Sequence, residues 1–219
     1  MNGIWILLLL ILTAALPVIF VFFWFRARKP EITLSWFLLS LTAGIISLLA
    51  AALMQNFIPS FTENWRGGPG PVFFDVFIRI ALVEEASRLI TIIPLFKMSK
   101  YRRKTDSVFC AVMGLIAGLG FATLESAIYG IADVNVTLLR ALTAAPLHGA
   151  CGIRVSMAFF YFKKYPLRAP FLFIFAVLIH GTYNLILLRP ALPSILAALT
   201  ALTALLSSLP FLKTNDESY

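Results

Sequence analysis

Charge is what this chain has least of. Only 13 % of its 219 residues are Asp, Glu, Lys or Arg, whereas 60 % are hydrophobic and the mean hydropathy is +0.92. A soluble domain is about a quarter charged. A fold of this size could not keep so much apolar surface from water, so disorder and a cytosolic enzyme are both excluded. Cys110 and Cys151 are too few for a disulfide framework and stand at no metal-binding spacing. Both lie in apolar stretches and are expected to be inert packing residues. Histidine is equally scarce, with His148 and His180 alone. The net charge of +8 does not point to nucleic acid, because the basic residues fall between hydrophobic runs. No soluble domain, internal repeat or low-complexity stretch is evident.

What is abundant is apolar sequence in lengths that cross a hydrocarbon core of ~30 Å. Such runs lie near 3–25, 34–58, 71–96, 107–130, 136–161, 170–188 and 191–212. The first lacks a basic leading region and a small-residue cleavage site, so it reads as a span and not as a signal peptide. Lys and Arg set the orientation. One set of loops holds Arg26, Arg28, Lys29, Lys97, Lys100, Arg102, Arg103, Lys104, Lys163, Lys164, Arg168 and Lys213, and the opposite set only Arg66 and Arg189. The expectation is an all-α polytopic membrane protein of about seven transmembrane helices, N-terminus outside and C-terminus cytoplasmic. Residues 1–219 would form a single transmembrane domain with a functional core over 71–188. Pro190 and Pro193 could break the last two runs into a pair. Residues 61–70 (FTENWRGGPG) read as an outer loop.

Ionisable residues inside such spans cost about 2.5–3.5 kcal/mol each even on the lenient insertion scale. The third run holds Asp75, Arg79, Glu84, Glu85 and Arg88. Asp75–Arg79 and Glu84–Arg88 are spaced i,i+4 and are expected to pair. Arg88 can neutralise one of two adjacent glutamates, and the other needs polar surroundings of its own. Glu125 follows Phe121 by one turn in the fourth run, after Gly114 and Gly118, whose spacing lets a neighbouring helix come close. His148 lies on a line with Arg140, Ala144 and Gly152, and His180 is followed one turn later by Asn184. Arg140 is either an interfacial anchor or a partner for Glu125. Arg154 is expected to be structural and to snorkel to the cytoplasmic interface.

Two imidazoles and several buried carboxylates support three chemistries. A glutamate can activate water for hydrolysis with histidine assistance. His148, His180 and one carboxylate, Glu125 being a candidate, can hold a divalent metal such as zinc. Glu and His can also relay protons in a transporter, although no repeat or paired broken helices accompany them.

The stretches LVEEASRL (82–89), GFATLESAIYG (120–130), RALTAAPLHGACG (140–152) and LIHGTYNLIL (178–187) together resemble the motifs of the PrsW family of intramembrane proteases, relatives of the CAAX-prenyl endopeptidase/ABI superfamily. The resemblance covers about Val72 to Leu188. It implies an intramembrane endopeptidase that cuts a membrane-anchored, single-pass protein in the lipid bilayer, with the first cut in an anti-sigma factor as the best-known role. On that resemblance Glu84, Glu85, His148 and His180 are catalytic, with Arg88, Phe121, Glu125 and Asn184 supporting them. Arg88 stands where the family has Lys, and Asn184 where it has Asp; the second exchange motivates an alternative, a catalytically inactive membrane-embedded binding partner. The acidic first-loop motif of many members is missing, with only Lys29-Pro30-Glu31 there.

Overall fold

A computed structural model of the chain describes residues 3–28, 32–64, 69–101, 106–131, 134–188 and 193–213, and every regular element in them is helical. Lys29 to Glu31, Arg66, Arg102 to Lys104, Arg189 and Pro190 lie outside the described residues. The elements are α1 (Gly3–Arg28), α2 (Leu34–Gln55), α3 (Phe61–Asn64), α4 (Gly70–Phe74), a π-helical segment (Asp75–Leu82), α5 (Val83–Tyr101), α6 (Ser107–Gly130), α7 (Val134–Tyr161), α8 (Arg168–Leu187), α9 (Ile195–Leu206) and a final 3₁₀ turn (Leu209–Leu212). Among the described residues, six helical stretches are long and apolar enough to cross a membrane: Leu8–Arg28, Leu34–Gln55, Ser107–Gly130, Asn135–Tyr161, Arg168–Leu187 and Ile195–Leu212. The expected third run is also helical. There α4, the π-segment and α5 abut into one rod from Gly70 to Tyr101, set apart from the six by its charged residues.

Side-chain caps open two of the helices. Thr33 caps α2 by accepting from the Trp36 amide, and Asp106 caps α6 by accepting from the Phe109 amide at 2.5 Å. The bundle is built around α6, whose residues are buried without a break from Val108 to Ala122. Helices α2 and α7 flank it, and glycine sets both approaches. A Cβ at Gly118 would run into the His148 carbonyl of α7, and one at Gly152 into the Gly114 carbonyl. On the other flank, a Cβ at Gly44 or Gly120 would meet the carbonyls of Ala117 and Leu41. Small residues let helix backbones touch where lipid gives no hydrophobic drive to associate, and the expected close approach at Gly114 and Gly118 is present. Cys110 and Cys151 are free and buried, as packing residues should be.

Two sequence expectations give way to backbone capping. Asp75 does not pair with Arg79. Its carboxylate accepts from the Phe61 amide (2.8 Å), the Thr62 amide (2.9 Å), the Thr62 hydroxyl (2.6 Å) and Ser60 (3.0 Å), all at the start of α3. Arg79 instead donates to the carbonyls of Ile58 (3.0 Å) and Gln55 (3.4 Å), just past and at the end of α2. Open helix ends offer several donors or acceptors at once, which a single opposite charge does not. Arg154 does not snorkel. It is buried and donates to the carbonyls of Ala150 (2.9 Å) and Ala204 (3.1 Å) and to the Ser207 hydroxyl (2.6 Å), closing the C-terminal end of α9.

If the α6–α7 seam sets the fold, Gly118→Val should cost about 1–3 kcal/mol, because the obstructing atom is backbone. Gly70→Ala, where no described residue comes within 4 Å, should leave stability unchanged. Denaturant unfolding in detergent reads both, and equal stability of the two variants would contradict the seam.

Candidate active site

Four helices bring the ionisable residues to one place. The rod supplies Glu84, Glu85 and Arg88 in the first turns of α5, directly after the π-segment; α6 supplies Phe121 and Glu125, α7 Arg140 and His148, and α8 His180. Single-turn π insertions are frequent at functional sites, since they rotate the residues beyond them about the helix axis. Gly181, beside His180, has no room for a Cβ because the Phe77 ring of the π-segment lies against it, so α8 and the rod meet closely here.

Glu85 is the hub. It is fully buried, one carboxylate oxygen is ion-paired with Arg88, and the other lies 2.7 Å from His180 Nδ1. Arg88 thus pairs i,i+3 with Glu85 and not i,i+4 with Glu84. The 100° step between adjacent residues turns Glu84 toward α2, where the Gln55 amide donates to its Oε1 at 3.3 Å. Arg88 also donates from Nη2 to His148 Nδ1 (3.3 Å) and lies 4.5 Å over the Phe121 ring. Beyond it, His148 Nε2 faces Glu125 Oε2 at 2.8 Å, and that carboxylate is ion-paired with Arg140 at 2.5 Å. Arg140 is therefore the partner of Glu125, with its guanidinium also 4.4 Å over Tyr129. The Phe121 ring packs 4.9 Å from His148, and the two imidazoles meet edge to face at 4.8 Å.

The partners fix the tautomers. A guanidinium only donates, so His148 accepts at Nδ1 and points its Nε2 hydrogen at Glu125. Glu85 holds the Nδ1 hydrogen of His180, leaving the Nε2 lone pair facing Glu84 Oε2 at 3.4 Å. Both of those atoms are buried and lack a hydrogen-bond partner among the described residues. Two acceptors cannot face each other in a dry interior unless a proton or a cation lies between them. The charge count agrees: Glu84, Glu85 and Glu125 against Arg88 and Arg140 leave one negative charge over while both imidazoles are neutral.

That surplus bears on a metal. Glu85, His148 and His180 each offer a ligand atom, all within 4.8 Å of one another, and two imidazoles with a carboxylate suit zinc. Glu85 behind His180 Nδ1 is also the usual support for a metal-binding imidazole. The residues fit a divalent ion on the side of His180 Nε2, whereas His148 joins only by giving up Arg88. Of the residues singled out in the sequence, eight converge here, Arg140 among them. Asn184 does not: it is half-buried one turn beyond His180 and makes no side-chain hydrogen bond among the described residues. Gln55 has no signature in the sequence, because one amide at the end of an apolar run makes no motif.

A helical membrane bundle with buried acids and histidines joined across four helices has the groups that an intramembrane hydrolase needs. Residues 32–209 match the PrsW family of intramembrane metalloproteases, and the chain belongs to that family. The match extends past the motif region at both ends, taking in α2 and α9. No curated protein and no solved structure gives a match.

Gln55→Leu should lower kcat for proteolysis about two- to ten-fold with KM unchanged, the worth of one hydrogen bond. A change confined to the yield of folded protein would mean that Gln55 only packs.

Proposed function

We propose that this intramembrane protease cuts a membrane-anchored single-pass protein, with Glu84 as general base. The observation that carries the reading is the buried, unpartnered Glu84 Oε2 beside His180 Nε2. Of the two adjacent glutamates, Glu85 has both oxygens committed, and Glu84 alone keeps one free for a reacting proton.

Water bound against this pair loses a proton to Glu84 Oε2 as its oxygen attacks the scissile carbonyl carbon. The same proton then passes to the departing amide nitrogen, the C–N bond breaks, and acid and amine products result. Glu85 and Arg88 hold His180 in the tautomer that keeps Nε2 facing the water. His148, fixed between Arg88 and Glu125, packs edge to face against His180 and keeps that ring in place. A divalent ion held by His180 Nε2 with Glu84 would polarise the carbonyl and acidify the water. Residues 71–188 form the catalytic core in this reading, with the N-terminus outside and the C-terminus cytoplasmic. The substrate class is a single-pass membrane protein, of which an anti-sigma factor is the specific candidate.

The inactive-partner alternative rested on Asn184. Its side chain takes no part in the hydrogen-bonded centre, so the Asp-to-Asn exchange leaves that centre whole and the protease reading stands first.

The test is cleavage of a tagged single-pass anti-sigma-like substrate by purified protein in detergent. Glu84→Gln, Glu85→Gln and His180→Ala should each lower turnover by about 10²–10⁴-fold while remaining folded and membrane-inserted. If a metal takes part, a chelator abolishes turnover and zinc restores it. Wild-type turnover in two of the three variants would remove the assignment.

A further inference from the structure

Away from the acid–histidine centre, at the end of the bundle where α5 and α7 finish and α6 begins, a cavity of about 540 Å³ opens between these helices. Phe96, Phe159, Phe160 and Phe162 line it, Cys110 of α6 also contributes, and Lys97 and Lys163 complete it. Phe96 and Phe159 stack at 5.2 Å with nearly parallel rings. Its size falls within the range of small-molecule sites, which are mostly apolar with a few placed polar groups.

The two lysines are both exposed, and neither has a carboxylate partner among the described residues. Asp106, the acid at the start of α6, is committed to the Phe109 amide. More positive charge lies alongside: Lys164 and Arg168 stand 5.4 and 5.0 Å over the Tyr165 ring. A second apolar cavity of about 440 Å³, lined by Leu89, Ile93, Pro170 and Phe173, shares the Phe159 and Phe162 walls with the first.

We propose that this is a binding site for an anionic diacyl phospholipid, its phosphate between Lys97 and Lys163 and its acyl chains on either side of Phe159 and Phe162. Charge complementarity selects this occupant. A zwitterionic lipid brings its own ammonium up against the two lysines, and a water-soluble phosphate leaves the phenylalanine walls uncovered. Basic pockets between transmembrane helices on the cytoplasmic side take anionic headgroups, and the Lys/Arg asymmetry of the chain assigns this end to the cytoplasm.

The test uses the full chain in neutral detergent, titrated with phosphatidylglycerol bearing a fluorescent acyl chain. The matching phosphatidylcholine and single-chain lysophosphatidylglycerol are run beside it. Wild type should bind phosphatidylglycerol saturably and at least about ten-fold more tightly than phosphatidylcholine, two lysines each contributing several-fold. Lys97→Gln/Lys163→Gln should bring the two lipids level. Arg28→Gln/Lys213→Gln, with the same charge loss elsewhere, should keep the preference. Equal affinity for both lipids in wild type, equal effects of the two double variants, or partitioning without saturation would overturn the site. Undiminished affinity for the single-chain lipid would overturn the two-cavity placement. Because the readout is binding, its failure is separate from any failure of the proteolytic reading.

Discussion

Glu85 cannot be charged in the interior of this bundle on its own, and most of the functional architecture stems from that constraint. Removing one partner from a buried pair costs about 3–5 kcal/mol, so Arg88 and Glu85 hold each other in place on α5. Each also reaches a different helix: Glu85 through its second oxygen to His180 of α8, and Arg88 through Nη2 to His148 of α7. His148 passes the connection to Glu125 of α6. One ion pair thereby fixes two tautomers and leaves a single lone pair and a single carboxylate oxygen facing each other. The chemistry proposed for the site grows from that leftover.

The network needs helix axes close enough for short side chains to meet, and the glycines of α6 and α7 provide this. His148 belongs to both arrangements, since its carbonyl is the atom that excludes a Cβ at Gly118 while its ring joins the ionisable residues. The seam and the centre are consequently coupled. A change that parts the helices also shifts the imidazole, so loss of activity at Gly118 reports on packing and not on a chemical role.

The spans and the acid–histidine set were legible in the sequence because hydropathy and insertion cost act residue by residue. The motif spacing also indicated which charged residues belong together. Partner choice was not legible. The i,i+4 rule joined Glu84 to Arg88 and Asp75 to Arg79, but the first arginine takes Glu85, and Asp75 and Arg79 each satisfy an open helix end. Arg154 does the same for α9. Backbone donors and acceptors have no sequence signature, and in an apolar bundle they compete well with side-chain charges. Gln55 depends on the rotation of α2 about its own axis, which no local pattern sets. Arg140 was open between anchor and partner until the packing of α6 on α7 placed it against Glu125.

The central claim is that Glu85 and His180 act as one unit, and a double-mutant cycle on single-turnover cleavage tests it most directly. Rates would be compared for wild type, Glu85→Gln, His180→Gln and the double variant with a tagged single-pass substrate. Residues that act together lose their effect together, so the double variant should be no slower than the worse single one. Multiplicative losses in the double variant would show two independent contributions and contradict the account.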